Sequence, residues 1–72
     1  MIDDILMQIA TLGATRAEKA IPLVQLKLMI HLGDKVMDEG IDQLKSMGYV
    51  VVDDNKVYLT PTGLIRAFSR FS

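Results

Sequence analysis

Apolar positions recur along this chain first at helical and then at strand spacing, and the change of period locates the elements. Ile2, Ile5, Leu6, Ile9 and Leu12 fall at i, i+3, i+4, i+7 and i+10, one stripe of a 3.6-residue period. This predicts a helix over about Ile2 to Leu12. Asp3 and Asp4 sit in its first turn, where carboxylates suit the positive end of the helix dipole. Gly13 is placed to close it in the left-handed conformation. Ala14 to Ala20 is small and polar, a loop or one helical turn. Ile21-Pro22-Leu23 predicts a short extended piece, because the residue before a proline avoids the helical region.

A second helix is expected over about Val24 to Leu32. Leu26, Met29 and Ile30 define its main face, with Leu23 just ahead of it. Val24, Lys27 and His31 form a second, mixed stripe, and Leu28 and Leu32 lie on a third side. A helix apolar on several sides must be wrapped by neighbours. The opening of VQLKLMI also alternates like a strand, but its length and the unbroken LMI run favour helix. Gly33 should end this helix, and Asp34 should cap the next with its carboxylate. The third helix runs to about Met47 on a stripe of Met37, Gly40, Ile41, Leu44 and Met47. Gly40 costs about 1 kcal/mol relative to alanine inside a helix, so it predicts a close approach, expected from helix 2 across the tight turn. Gly48 closes the helix.

From here the spacing changes. Tyr49 to Asp53 and Lys56 to Thr60 are rich in strand formers. Asp53-Asp54-Asn55 between them supplies turn chemistry, with Asn55 tolerant of positive φ. The pair reads as a short hairpin. Thr60 then caps a last helix with Pro61 at its first position, where the missing N–H does no harm. Leu64, Ile65, Phe68 and Phe71 give that helix an apolar face, with Arg66 and Arg70 outside. The expected class is α+β, mainly α: three to four helices, a hairpin near the C-terminus and a closing helix, in one domain over residues 1–72.

Composition sharpens the picture in a few places. Seventy-two residues make one domain that exposes much of its surface even when folded. There is no cysteine and a single histidine, which excludes a disulfide and a Cys/His zinc site. Half of the residues are apolar, so some apolar surface is expected to be shared with another chain, as in a homodimer. A net charge of −1 gives no field to draw in a polyanion and argues mildly against a dedicated nucleic-acid binder. The opening MIDDILMQIATLG is acidic and too short for a signal peptide or a membrane span. A cytoplasmic, non-membrane location is the default expectation, and the chain reads as a whole small protein.

Candidate chemistry is sparse. His31, beside Lys27, reads as a partly exposed surface residue. Asp38 and Asp42 stand one turn apart, but without a nucleophile or a second ligand pair they read as a solvated face. The methionines other than Met1 fall within helical stripes and read as core filler. No phosphate loop, nucleophile motif or metal spacing is present. The expectation is no enzyme, no cofactor and no metal.

From Leu23 to Gly63 the chain resembles winged helix-turn-helix domains. DQLKSMGYV (Asp42 to Val50) is similar to the end of the third helix and the strand entry of many such regulators. LTPTG (Leu59 to Gly63) resembles the strand-to-helix exit of MarR-like and related regulators. The resemblance implies a recognition helix at Asp34 to Met47 and a wing near Asp53 to Lys56. In DNA-binding members the first lies in the major groove and the second touches backbone or minor groove. Carried over, the groove-facing residues are Lys35, Asp38, Glu39, Asp42, Lys45 and Ser46, and the wing tip offers Asn55 and Lys56. Here the chain departs from the pattern: three carboxylates face two ammonium groups on the helix, and two Asp face one Lys at the tip. Affinity for duplex comes largely from Lys and Arg on phosphates.

Two functions follow. One is a small DNA-binding transcriptional regulator acting as a dimer on double-stranded DNA, with Lys35, Lys45, Ser46, Asn55 and Lys56 as contacts. The alternative is a protein–protein interaction module that meets a basic partner through Asp38, Glu39 and Asp42 and through exposed apolar surface. Arg16, Lys19, Arg66 and Arg70 are further basic positions away from this face.

Overall fold

The elements follow the order expected from the periodicity in the computed structural model, which describes residues 2–69. They are α1 (Ile2–Thr11), a 3₁₀ turn (Ala17–Lys19), β1 (Ile21–Pro22), α2 (Leu23–Ile30), α3 (Asp34–Ser46), β2 (Val50–Asp53), β3 (Lys56–Leu59) and α4 (Pro61–Ser69). The class is α+β and mainly helical. α1 lies at the centre, packed against α2, α3, α4 and β3. Its stripe behaves as the spacing predicts: Ile5, Leu6 and Ile9 are buried, with Ile2 and Leu12 partly so.

Helix ends explain how the layers are joined. Gly13 (φ 79°) closes α1 with two bonds, its own N–H to Ala10 O at 3.0 Å and the Ala14 N–H to Ile9 O at 3.3 Å. Buried Ala14 in turn accepts the Leu59 N–H at 2.8 Å, which stitches this corner to β3. Gly48 (φ 77°) closes α3 in the same way, through Lys45 O at 3.0 Å and Leu44 O at 2.9 Å.

The sheet is antiparallel in the order β1-β3-β2. Ile21 pairs with Val57, Pro22 with Lys56, and β2 pairs with β3 from Val50↔Leu59 to Asp53↔Lys56. That register leaves a two-residue turn in which both Asp54 (φ 53°) and Asn55 (φ 60°) take positive φ, as a type I′ turn requires. Thr60 caps α4 as expected: its Oγ1 accepts the Gly63 N–H at 3.0 Å and donates to Gly48 O at 2.6 Å. Its own N–H donates to Tyr49 O at 3.0 Å. One residue therefore locks the start of α4 onto the end of α3.

Several expectations are corrected. α2 ends at Ile30, and the left-handed residue is His31 (φ 61°), not Gly33, whose φ is −62°. Leaving the helix there lets Leu32 pack partly buried against the core. Asp34 is the first residue of α3 rather than its cap; Gly33 holds the cap position without any side-chain bond. Gly40 makes room for α1, not α2: a Cβ there would sit 2.5 Å from Ile5 Cδ1 and 3.9 Å from Ile2 Cγ2. Met47 falls beyond the last buried turn of α3 and is exposed, as is Met29, so of these stripe methionines only Met37 is core. α4 packs through Gly63, Ala67 and half-buried Leu64, because small residues permit close contact with α1 and the Tyr49 backbone. Ile65 and Phe68 point to solvent. Phe71 and Arg70, also assigned to that helix, lie outside the described residues. α2 is not wrapped on all sides, since Leu26 is its one fully buried residue.

Candidate functional site

A 3.6-residue period that buries Met37, Gly40, Ile41 and Leu44 must turn Lys35, Asp38, Glu39, Asp42, Lys45 and Ser46 the other way. All six are exposed, and they share the outer side of α3. The structure thus brings together the whole helical part of the expected site. It adds a residue that sequence reasoning left on α2. Lys27 Nζ lies 3.1 Å from Asp38 Oδ1 and 3.9 Å from Asp34 Oδ1. Local helix rules look three or four residues away, and this pair spans a turn between two helices, so no sequence signal announced it. With Lys27, Lys35 and Lys45 set against Asp34, Asp38, Glu39 and Asp42, the face is still one charge negative.

The hairpin closes one side of this face. A groove of about 270 Å³ runs between α3 and the sheet, lined by Leu23, Asp38, Ile41, Asp42, Lys45 and Val52. Asn55 and Lys56 are exposed at the tip, but the tip is held down. The Asn55 carbonyl accepts the Leu23 N–H at 2.9 Å, at the first residue of α2. Pro22 pairs with Lys56, so only the two turn residues extend past the three-stranded region. This is a stub whose reach is one turn.

On its far side α2 is inverted. Leu23, Leu26 and Ile30 face the core, and the opposite ridge carries Val24 (69% exposed) and Leu28 (71% exposed), one turn apart. Beside that ridge lies a second groove, of about 420 Å³, lined by Val24, Lys27, Leu28, Leu32 and Asp34. Lys27 therefore stands between an apolar groove and the charged face of α3. The signal for this ridge was present as the i, i+4, i+8 series of Val24, Leu28 and Leu32.

Among the described residues the remaining basic positions make no ion pair with this face. Arg66 lies 3.6 Å from Asp3 across α1 and α4, and Arg16 and Lys19 are exposed around the 3₁₀ turn. Among the described residues no group of three His, Asp or Glu side chains is placed to hold a metal ion, and no helix is long and apolar enough to cross a membrane. Comparison with family models, with curated proteins and with solved structures gives no match.

Proposed function

We propose that this chain is a winged-helix domain that works as a protein-interaction module, with the α2–α3 face meeting protein rather than duplex DNA. The order α1-β1-α2-α3-β2-β3, with β3 between β1 and β2, supports the winged-helix reading. The observation that carries the interaction reading is the outward ridge of Val24 and Leu28. In a DNA-bound helix-turn-helix the first helix crosses the phosphate backbone. An aliphatic ridge there offers phosphates neither charge nor hydrogen bond, whereas it gains by leaving water against another apolar surface. The acidic α3 and the tethered hairpin tip add to the same side of the argument.

Duplex binding by a dimeric regulator keeps one observation in its favour: Lys35, Lys45, Ser46, Asn55 and Lys56 are all exposed. Fluorescence anisotropy on mixed-sequence duplexes at low salt separates the two readings. Wild type is expected to bind no more tightly than about 10⁻⁴ M, the weak end of non-specific binding. Reversing Asp38 and Asp42 to Lys should create binding, because it removes two repelled charges, frees Lys27 and adds two phosphate contacts. Micromolar binding by wild type that falls with salt and is lost in Lys35→Glu with Lys56→Glu would overturn the interaction reading.

A further inference from the structure

We infer that the outer edge of β2 receives an extended, basic segment of a partner protein, which pairs with it as an added strand beside α3. The inference deepens the interaction reading and rests on it, since it names what the α3 side of the face holds.

The hydrogen bonds of the hairpin fix which backbone groups face outward. The Thr60 N–H donates to Tyr49 O at 3.0 Å, and the Leu59 N–H turns the other way, to Ala14 O at 2.8 Å. Val50↔Leu59 is therefore a pair that exchanges no bonds of its own. Antiparallel pairs alternate, so Val51 and Asp53 bond to β3, while the N–H and C=O groups of Val50 and Val52 point away from it. No strand of the sheet lies on that side, because β2 is its outer member. Among the described residues neither Val50 nor Val52 makes a backbone bond outside the hairpin.

The two edges of the sheet are finished differently. β1 is two residues long and ends in Pro22, which has no N–H to offer and so blunts that edge. β2 carries Val50-Val51-Val52, with no proline, glycine or charge among them. Val50 is nearly covered, at 4% exposed, so the open stretch is centred on half-buried Val52. Its outward N–H and C=O must be satisfied by water or by another chain, and a strand added to a sheet edge uses those groups.

Side chains around Val52 choose the partner. The groove of about 270 Å³ beside it has Leu23, Ile41 and Val52 as apolar lining and Asp38, Asp42 and Lys45 as charged lining. Asp38 is bonded to Lys27. Asp42 and Lys45, with Asp53, Asp54 and Lys56 at the end of the strand, take part in no ion pair among the described residues. Three carboxylates are thus left against two ammonium groups. A lysine or arginine on the added strand can lay its aliphatic stem on the apolar lining and turn its charge toward Asp42. A second copy of this chain would bring the same negative sign, so the pairing strand belongs to a basic partner.

Amide exchange of the full chain, read residue by residue by NMR, tests this. In the free chain the Val52 amide should exchange at least tenfold faster than those of Val51 and Asp53. A short peptide of alternating valine and lysine, added up to about millimolar where weak complexes are populated, should slow Val52 exchange at least tenfold. The same peptide N-methylated at every residue keeps its charge and loses its donors, and should bind at least tenfold more weakly. A peptide with glutamate in place of lysine should also bind at least tenfold more weakly. No binding at millimolar peptide, equal binding of either altered peptide, or a Val52 amide already protected in the free chain would overturn the pairing. Protection that appears without peptide as the protein is concentrated would assign the edge to a second copy and overturn it as well. None of those results creates duplex binding, so the broader interaction reading fails only on the anisotropy measurement.

Discussion

Changing either of two helical glycines to alanine should give very different outcomes, because the atoms that meet the new methyl differ in freedom. At Gly40 the methyl meets Ile5 Cδ1 at 2.5 Å, the far end of a flexible side chain. Moving it costs about 1–3 kcal/mol of overpacking, and alanine recovers about 1 kcal/mol of helix propensity. The net loss is about 0–2 kcal/mol. At Gly63 the methyl falls on the carbonyl oxygen of Tyr49, with the Tyr49 carbonyl carbon at 2.7 Å and Cα at 3.0 Å. No rotamer relieves that overlap. The same carbonyl accepts the Thr60 N–H at 3.0 Å, and the adjacent Gly48 carbonyl accepts Thr60 Oγ1 at 2.6 Å.

Pulling α4 away from Tyr49 gives up both bonds, each about 1 kcal/mol, on top of overpacking at the upper end of its range. With about 1 kcal/mol of helix propensity recovered by alanine, the expected loss is about 4 kcal/mol, against a total stability of about 4–11 kcal/mol for a domain of this length. At 4–8 °C per kcal/mol, Gly63→Ala should lower the melting temperature by about 16 °C or more, and Gly40→Ala by at most about half as much. Thermal melts followed by far-ultraviolet circular dichroism read both. A Gly63→Ala protein melting within a few degrees of wild type, or a Gly40→Ala protein melting below it, would refute the account of how α3, β2 and α4 are joined.

Two further stability predictions follow from the turns and caps. His31→Gly should raise the melting temperature by a few degrees. The left-handed conformation costs a non-glycine residue about 1–2 kcal/mol, and the added chain entropy of glycine cancels part of that gain; a fall instead would show that the His31 side chain holds the turn. Thr60→Val should cost about 2 kcal/mol in urea unfolding through the lost cap and the orphaned Gly48 carbonyl, with Thr60→Ser restoring most of it. Equal loss in both variants would place the effect in packing rather than in the hydroxyl.

What the sequence made readable was what depends on neighbours a few residues away. The stripe of α1, the glycines at 13 and 48, the Thr60-Pro61 start of α4 and the hairpin all rest on local spacing or a single φ preference, and each is found. The misreadings concern partners distant in the chain. Gly40 announced a close approach correctly, but nothing local could say that the approaching helix was α1. Glycine was the default choice to end α2, yet the position of Leu32 against the core put the left-handed turn at His31. On the outer side of α3 the exposed residues were readable from the period. The ion pairs that tie α2 to it, from Lys27 to Asp38 and Asp34, were not.

The expectation that α2 is wrapped by neighbours is not met within this chain, where Val24 and Leu28 stay exposed. Hydrophobic spacing reports that a residue leaves water without reporting whose surface it joins. For Val24 and Leu28 the two cases differ in energy. Each is worth about 1–2 kcal/mol when its exposed part is buried, somewhat less than full burial of such side chains. Within one chain that gain would be free of any association cost, so the fold would be expected to capture it. In a dimer the four side chains together supply about 4–8 kcal/mol before contributions from Leu32 and the rim. Association takes back at least about 4 kcal/mol for lost translation and rotation. The surplus from these side chains is at most about 4 kcal/mol, a Kd no tighter than about millimolar, so this ridge by itself does not hold two copies together at micromolar protein. Melting temperature should therefore be independent of protein concentration up to about a tenth of that Kd, in wild type as in Leu28→Lys. A wild-type melt that shifts upward over that range and stays flat in Leu28→Lys would show the outer face of α2 covered by a second copy more tightly than its apolar side chains account for.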